Sequence, residues 1–224
     1  RDDLIKELKK AKVLAFDTET DSLDFTQANL VGLSVATDED NAYYIPVGHD
    51  YEGAPKQLDR DEVLKKLKPI IEKTPLIGQH LKFDRNVLAN YDIHLNAIEN
   101  DTMLMSYVYD PTATRHNLDA MASHYLNVKT TTFEDVAGKG VKQLTFNQIP
   151  LEKASDYAAE DADITFRCYS HLKPALAKTP SLEKVLHEIE LPLVPVLSDM
   201  EQAGTLVNEE AVSYTHLRAH ETGI

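Results

Sequence analysis

Val13-Leu14-Ala15-Phe16-Asp17-Thr18-Glu19-Thr20 is the stretch on which the fold turns. Its apolar run rises from the charged segment Lys6 to Lys12, and so short a run reads as a strand entering a buried sheet. Alternation places Val13, Ala15, Asp17 and Glu19 on one face. Two carboxylates side by side at the end of an interior strand are costly unless something positive neutralises them. A site of oxygen donors suits Mg2+ or Mn2+. Acid-x-acid pairs recur at Asp38/Asp40, Asp59/Asp61 and Glu99/Asp101, where solvated turns or helix starts are expected. The Asp17/Glu19 pair therefore carries meaning only if partners converge on it.

With 224 residues, 42% of them hydrophobic, the chain can bury a core as one large domain or one domain with an appendage. No apolar stretch approaches the ~20 residues a bilayer requires, and the charged N-terminal segment lacks a signal-peptide core. The expectation is a cytoplasmic protein with no membrane partner. The one cysteine, Cys168, rules out an internal disulfide, fits a reducing compartment and reads as a helix packing residue. A net charge of −14 argues against coating nucleic acid through bulk charge, so such a partner would have to be held locally.

Along the chain, residues 1 to 12 read as an exposed lead-in helix. Residues 30–36 and 41–47 read as two further strands of an antiparallel meander, joined by the acidic turn 37–40. Asp59 is placed to cap a helix carrying Val63, Leu64, Leu67, Ile70 and Ile71. Pro75 to Gly78 is a short strand, and a helix starting near Lys82 follows it. Asp84 falls in that helix's first turn, where ligand and catalytic groups gather in open α/β sheets. An apolar helix from Met103 to Tyr109 stops at Pro111, and another spans Leu118 to Leu126. The long helix 151–177 carries Tyr157, Asp161, Ile164, Cys168 and Leu172 on one stripe, which Asp161 interrupts. Pro174 and Pro180 mark its end, and a last helix from Leu182 to Met200 is expected to break at Pro192 and Pro195.

One strand thus offers Asp17 and Glu19, a strand-to-helix switch offers Asp84, and a helix face offers Asp161. Four carboxylates from three elements are what two divalent cations about 3.5–4 Å apart need for in-line attack on a phosphodiester. Tyr157, one turn before Asp161, is able to point its hydroxyl into the same site and orient the attacking water.

The chain resembles the 3′–5′ proofreading exonuclease domain of bacterial DNA polymerase I, a family A polymerase domain of the ribonuclease H-like type. Phe16-Asp17-Thr18-Glu19-Thr20-Asp21-Ser22-Leu23 is similar to its first motif. Gly78-Gln79-His80-Leu81-Lys82-Phe83-Asp84-Arg85 is similar to the second and Tyr157-Ala158-Ala159-Glu160-Asp161-Ala162-Asp163 to the third. Thr132 to Gly140 and Gln143 to Ile149 resemble the polymerase I subgroup, and the likeness covers roughly residues 10 to 208. The resemblance implies that Asp17, Glu19, Asp84 and Asp161 hold two divalent metal ions, Mg2+ or alternatively Mn2+ or Zn2+. It implies that Tyr157 positions the water, marking the tyrosine branch of these exonucleases. Leu23 and Phe133 would touch the terminal nucleotides, Arg115 would lie near the strand, and His80 would donate a hydrogen bond where the family usually has asparagine.

The fold implied is α/β and ribonuclease H-like, a central mixed sheet of about five strands flanked by helices, with strand 13–19 in its middle. Residues 1–178 would be the exonuclease domain and 179–209 a helical lead into the polymerase domain of the parent chain. Residues 210–224 look like translated adapter sequence and are set aside. The expected activity is removal of nucleoside 5′-monophosphates from a single-stranded or frayed DNA 3′ end by a monomeric bacterial protein. Backbone contacts would come from Lys82, Arg85, Arg115 and Lys129. The rivals are a silent domain that braces a polymerase and an RNA-trimming exonuclease of similar fold.

Overall fold

The computed structural model describes residues 2–39, 41–208 and 211–212; Asp40 and nearly all of the 210–224 tail lie outside the described residues. Five strands, β1 (Leu14–Thr20), β2 (Leu30–Ala36), β3 (Ala42–Pro46), β4 (Leu76–Gly78) and β5 (Ile98–Asp101), form one sheet in the order β3-β2-β1-β4-β5. β1 is central, as its apolar run implied. β1, β2 and β3 make the antiparallel meander, while β4 pairs parallel to β1 and β5 parallel to β4.

The alternation of β1 divides the core in two. Leu14 and Phe16 face α2 (Arg60–Ile71) and α3 (Leu81–Ala89), packing with Leu67, Leu81 and Leu88. Ala15 faces the other way, toward Met105 of α4 (Thr102–Tyr109) and Ile164 and Cys168 of α7 (Leu151–Leu176). Helices therefore cover both faces, and the sheet is buried on each. The Asp59 side chain caps α2 by accepting from Glu62 N at 2.9 Å.

Three segments differ from the sequence expectation. α1 (Asp2–Leu8) is shorter than residues 1–12 and docked rather than a loose lead-in: Leu8 is fully buried, and Glu7 accepts hydrogen bonds from Thr37 and Tyr43. β5 was not foreseen, because only Ile98 of its four residues is apolar. Its Asp101 does stand at a helix start, capping α4, but it is not solvated. Buried to 1% exposure, it accepts from Leu81 N, Met103 N and Leu104 N and so ties the start of α3 to the start of α4.

The last helix does not break at its prolines. α5 (Leu118–Met121) and α6 (Phe133–Ala137) precede α7, and α8 (Pro180–Val185) then leads through a π-helical turn, Leu186–Glu190, into α9 (Leu191–Ala203). Pro192 sits in the first turn of α9, where a missing N–H costs little, and the wider π turn upstream absorbs the change of hydrogen-bond pattern. Among the described residues, no helix is long and apolar enough to cross a membrane.

Candidate active site

The carboxyl end of β1 is where the acidic residues meet. Asp17 and Glu19 come from β1 itself, Asp84 from the first turn of α3 on one face, and Asp161 from α7 on the other. The register of β1 against β2 shifts between Glu19 and Thr20, an irregularity that re-aims side chains beside a site. Glu19 and Asp84 are 9% and 2% exposed, deep enough for their charges to be felt by one another.

That proximity is expressed in ionisation. Burial, followed by the charges of Asp84, Glu19 and Asp161, holds Asp17 well above the ordinary carboxylate range. Burial with Asp161 and Asp84 does the same to Glu19. Burial pushes Asp84 up to about 7, against hydrogen bonds from Thr18 that pull the other way. Asp161 also rises to about 7 through burial, opposed by the Tyr157 side chain. Four acids in one locality, none of them comfortable as an anion, form a strongly electronegative site.

Thr18, on the opposite face of β1 from its acidic neighbours, fixes Asp84. Its N–H and its hydroxyl both donate to Asp84 Oδ1, at 2.8 and 2.6 Å. The Tyr157 ring lies between Phe133 and Phe146, at centroid distances of 6.2 and 6.1 Å. Its hydroxyl interacts with the Asp161 carboxylate, and burial with that charge raises the phenol far above its ordinary value, so it stays protonated.

The donor set fits a hard divalent cation: it is all carboxylate oxygen, and Glu19 Oε1 is buried with no hydrogen-bond partner. Among the described residues, however, no three His, Cys, Asp or Glu side chains converge on one point as ligands of a single ion do. One oxygen of Asp84 is turned to Thr18.

The remaining sequence candidates are dispersed around this centre. Leu23 is 93% exposed on the loop after β1, and Arg115 is exposed in an open depression with Thr114 and Asn117. Phe133 is half-buried at the start of α6. His80 precedes α3 in the left-handed region, φ 63° and ψ 45°, a conformation asparagine and histidine enter more readily than most residues. Lys82 and Arg85 are engaged elsewhere: Lys82 pairs with Glu201, and Arg85 Nη1 donates to Asp199 Oδ1 at 2.8 Å, both on α9. Sequence reasoning missed Thr18 as a partner of Asp84. It also missed Tyr44 and His49, which read as ordinary strand and loop residues.

Residues 1–177 match the 3′–5′ exonuclease family of family A DNA polymerases. The chain belongs to the 3′–5′ exonuclease domain family of DNA polymerase I. It is 53% identical over 208 residues to DNA polymerase I of Pseudomonas aeruginosa and 39% identical over 213 residues to that of Borreliella burgdorferi. Those matches cover 91% and 93% of this chain but 23% and 22% of the relatives, so the chain spans under a quarter of their length. In fold it is similar to the POL domain of Pol1 from M. smegmatis, in complex with DNA primer-template and dNTP: TM-score 0.68, 19% identity, covering 92% of this chain and 31% of that one. It is also similar to Brucella melitensis NrnC with bound Mg2+: TM-score 0.59, 20% identity, covering 88% of each chain. Membership of the exonuclease family accounts for a meander followed by two parallel strands with its acids at the end of the central strand.

Proposed function

We propose that this exonuclease domain is metal-dependent and removes nucleoside 5′-monophosphates from single-stranded or frayed DNA 3′ ends, as the proofreading part of a bacterial, cytoplasmic DNA polymerase. The observation that carries the reading is the placement of Asp17 and Glu19 at the end of β1 with Asp84 of α3 and Asp161 of α7 close enough for their charges to raise both, and the Tyr157 hydroxyl against Asp161. These four carboxylates would hold two divalent ions, Mg2+ or alternatively Mn2+ or Zn2+. The chemistry such ions would supply is activation of water and stabilisation of the leaving oxygen in an in-line displacement.

The chain's own residues supply placement. Tyr157, protonated and ring-clamped, directs the attacking water with its hydroxyl. Leu23 offers an exposed apolar surface to the terminal base, and Phe133 lies beside Tyr157 for the same nucleotide. Arg115 is free to approach a phosphate from its exposed loop, and His80 at the head of α3 offers a further donor. Lys82 reaches DNA only by exchanging its partner Glu201. Residues 1–178 act as the catalytic domain. Residues 179–209, helical as far as Ala203 and held against α3 through α9, lead toward a polymerase domain in the parent chain, which acts as a monomer.

Incubating the purified protein and Mg2+ with 3′-labelled DNA and RNA oligonucleotides tests this. Stepwise release of labelled deoxynucleoside monophosphate, abolished by chelation, is the expected result. Hydrolysis of RNA alone, or of neither strand, would overturn it.

A further inference from the structure

Behind Phe146, which meets the Tyr157 ring, stand two further rings, Tyr44 and His49, that lie outside the motif segments resembling the family. On β3, the Tyr44 ring lies directly over Gly32: a Cβ built there would meet Tyr44 Oη, Cε2 and Cζ at 2.1, 2.2 and 2.3 Å. Gly32 is the cross-strand partner of Glu19, so the glycine lets this ring close over the strand beside that carboxylate. Tyr44 Oη lies 2.8 Å from His49 Nε2. His49 is 5% exposed, and its backbone N–H and C=O are both held by the Gln57 side-chain amide, at 2.7 and 2.6 Å.

The chain of contacts continues to the site. The His49 and Tyr44 rings meet Phe146 at 5.7 and 6.2 Å, and Phe146, 2% exposed, meets Tyr157 at 6.1 Å. The backbones are stitched alongside. Asp50 N donates to Asn147 O at 3.1 Å, Asn147 Nδ2 to Asp50 Oδ1 at 2.7 Å, and Leu151 N to Tyr51 Oη at 3.0 Å. The segment after β3 is therefore fastened to the entry of α7, about 1.7 turns before Tyr157.

We propose that Tyr44 and His49 are positioning residues of the exonuclease site, holding the Tyr157 ring through Phe146 so that its hydroxyl keeps its aim at Asp161. The inference rests on the exonuclease reading above. A capped turn holds the Phe146 backbone, with Ile149 N donating to Phe146 O at 3.1 Å, and the apolar ring is oriented by the neighbours that pack against it. The part-buried Tyr44–His49 hydrogen bond locks two of those neighbours, and removing the Tyr44 hydroxyl leaves Nε2 of the buried His49 without that partner. A displaced ring would mis-aim the hydroxyl while leaving all four carboxylates in the chain, which predicts a defect in turnover rather than in DNA binding.

The test compares His49→Leu, His49→Gln and Tyr44→Phe, by single-turnover hydrolysis of a 3′-labelled single strand at saturating Mg2+, by KM, and by the NMR resonance of 13C-labelled Tyr157. His49→Leu and Tyr44→Phe should slow turnover by about ten-fold or more with KM nearly unchanged, as expected for a mis-aimed group. The Tyr157 resonance should shift with them. His49→Gln, which keeps a polar atom near the Nε2 position, should restore both. Normal turnover and an unmoved Tyr157 resonance in the folded Leu and Phe variants would overturn the proposal. So would a Gln variant no better than Leu. If the wild type hydrolyses no strand, the exonuclease reading falls, and the Tyr157 resonance alone still decides whether His49 sets its position.

Discussion

Thr18 and Asp84 are joined twice, the backbone N–H and the hydroxyl of the threonine both ending on Asp84 Oδ1. One residue of the central strand thus fixes a carboxylate delivered by a helix 66 positions away. Its hydroxyl is the removable half of that grip. Thr18→Val at pH 8 should cost about 1.5–3 kcal/mol, the range for a hydrogen bond to an ionised group. Misplacing Asp84 should also lower single-turnover hydrolysis by roughly ten-fold or more. Calorimetry and rapid quench on the same preparation check both. A variant that melts early but cleaves normally would leave Thr18 a structural role only.

The acidic cluster sets a pH dependence with a definite sign. Asp84 and Asp161 rise from 3.8 to about 7, and Asp17 and Glu19 are raised as well. A folded pKa above the unfolded one means stability that is complete below the unfolded value and lost as pH rises through the folded value. In EDTA the melting midpoint should therefore fall between about pH 4 and pH 7–8. A divalent cation that binds the ionised folded state should flatten that fall, with its largest effect at the alkaline end. A midpoint insensitive to both pH and Mg2+ would contradict an acidic site at the end of β1.

The pairing of α3 with α9 changes what salt should do. Lys82 and Arg85 read in the sequence as phosphate contacts, yet Glu201 and Asp199 hold them. Between them, Asn86 and Ser198 form a buried hydrogen-bonded hub. Lys82→Ala/Arg85→Ala should accordingly leave the salt slope of single-strand binding nearly unchanged. Asp199→Asn/Glu201→Gln, which keeps an amide oxygen at position 201 to accept from Asn86 Nδ2, should steepen it by about 1.4, the increment for two freed cations on a single strand at ~0.7 each. Fluorescence anisotropy across a salt series measures this. A wild-type slope that already drops in the Lys82/Arg85 variant would show that DNA displaces α9.

What the sequence made legible follows from which signals are local. β1 announced itself by an uninterrupted apolar run, the meander by its turn residues, and α7 by a stripe in which Asp161 was the one misfit. β5 carried no such signal: Asn100 and Asp101 are buried polar residues, and the backbone donors that satisfy Asp101 include Leu81 N, 20 positions away. The acids that occupy Lys82 and Arg85 lie 119 and 114 positions on, beyond any periodicity argument. Tyr44 and His49 were invisible for a similar reason. Their meaning lies in Gly32 and Phe146, which only the folded sheet brings to them.

Tyr157 separates chemistry from metal binding. Asp17→Ala or Asp161→Ala removes a carboxylate of the cluster, and metal response and hydrolysis should fail together. Tyr157→Phe leaves every carboxylate in place, and the ring stays wedged between Phe133 and Phe146, so the substitution deletes one hydroxyl and nothing else of the packing. That hydroxyl is protonated at any working pH and lies against Asp161, so it acts by direction rather than by giving up its proton. Turnover in Tyr157→Phe should fall by ~10²-fold, the lower end for a positioned proton-handling group. Mg2+ half-saturation and strand affinity should stay within about two-fold, because uniform binding is untouched. Single-turnover hydrolysis at saturating enzyme, with an Mg2+ titration of the same variant, reads both quantities. Cleavage at the wild-type rate would remove Tyr157 from the mechanism and, with it, the purpose of the rings that hold it.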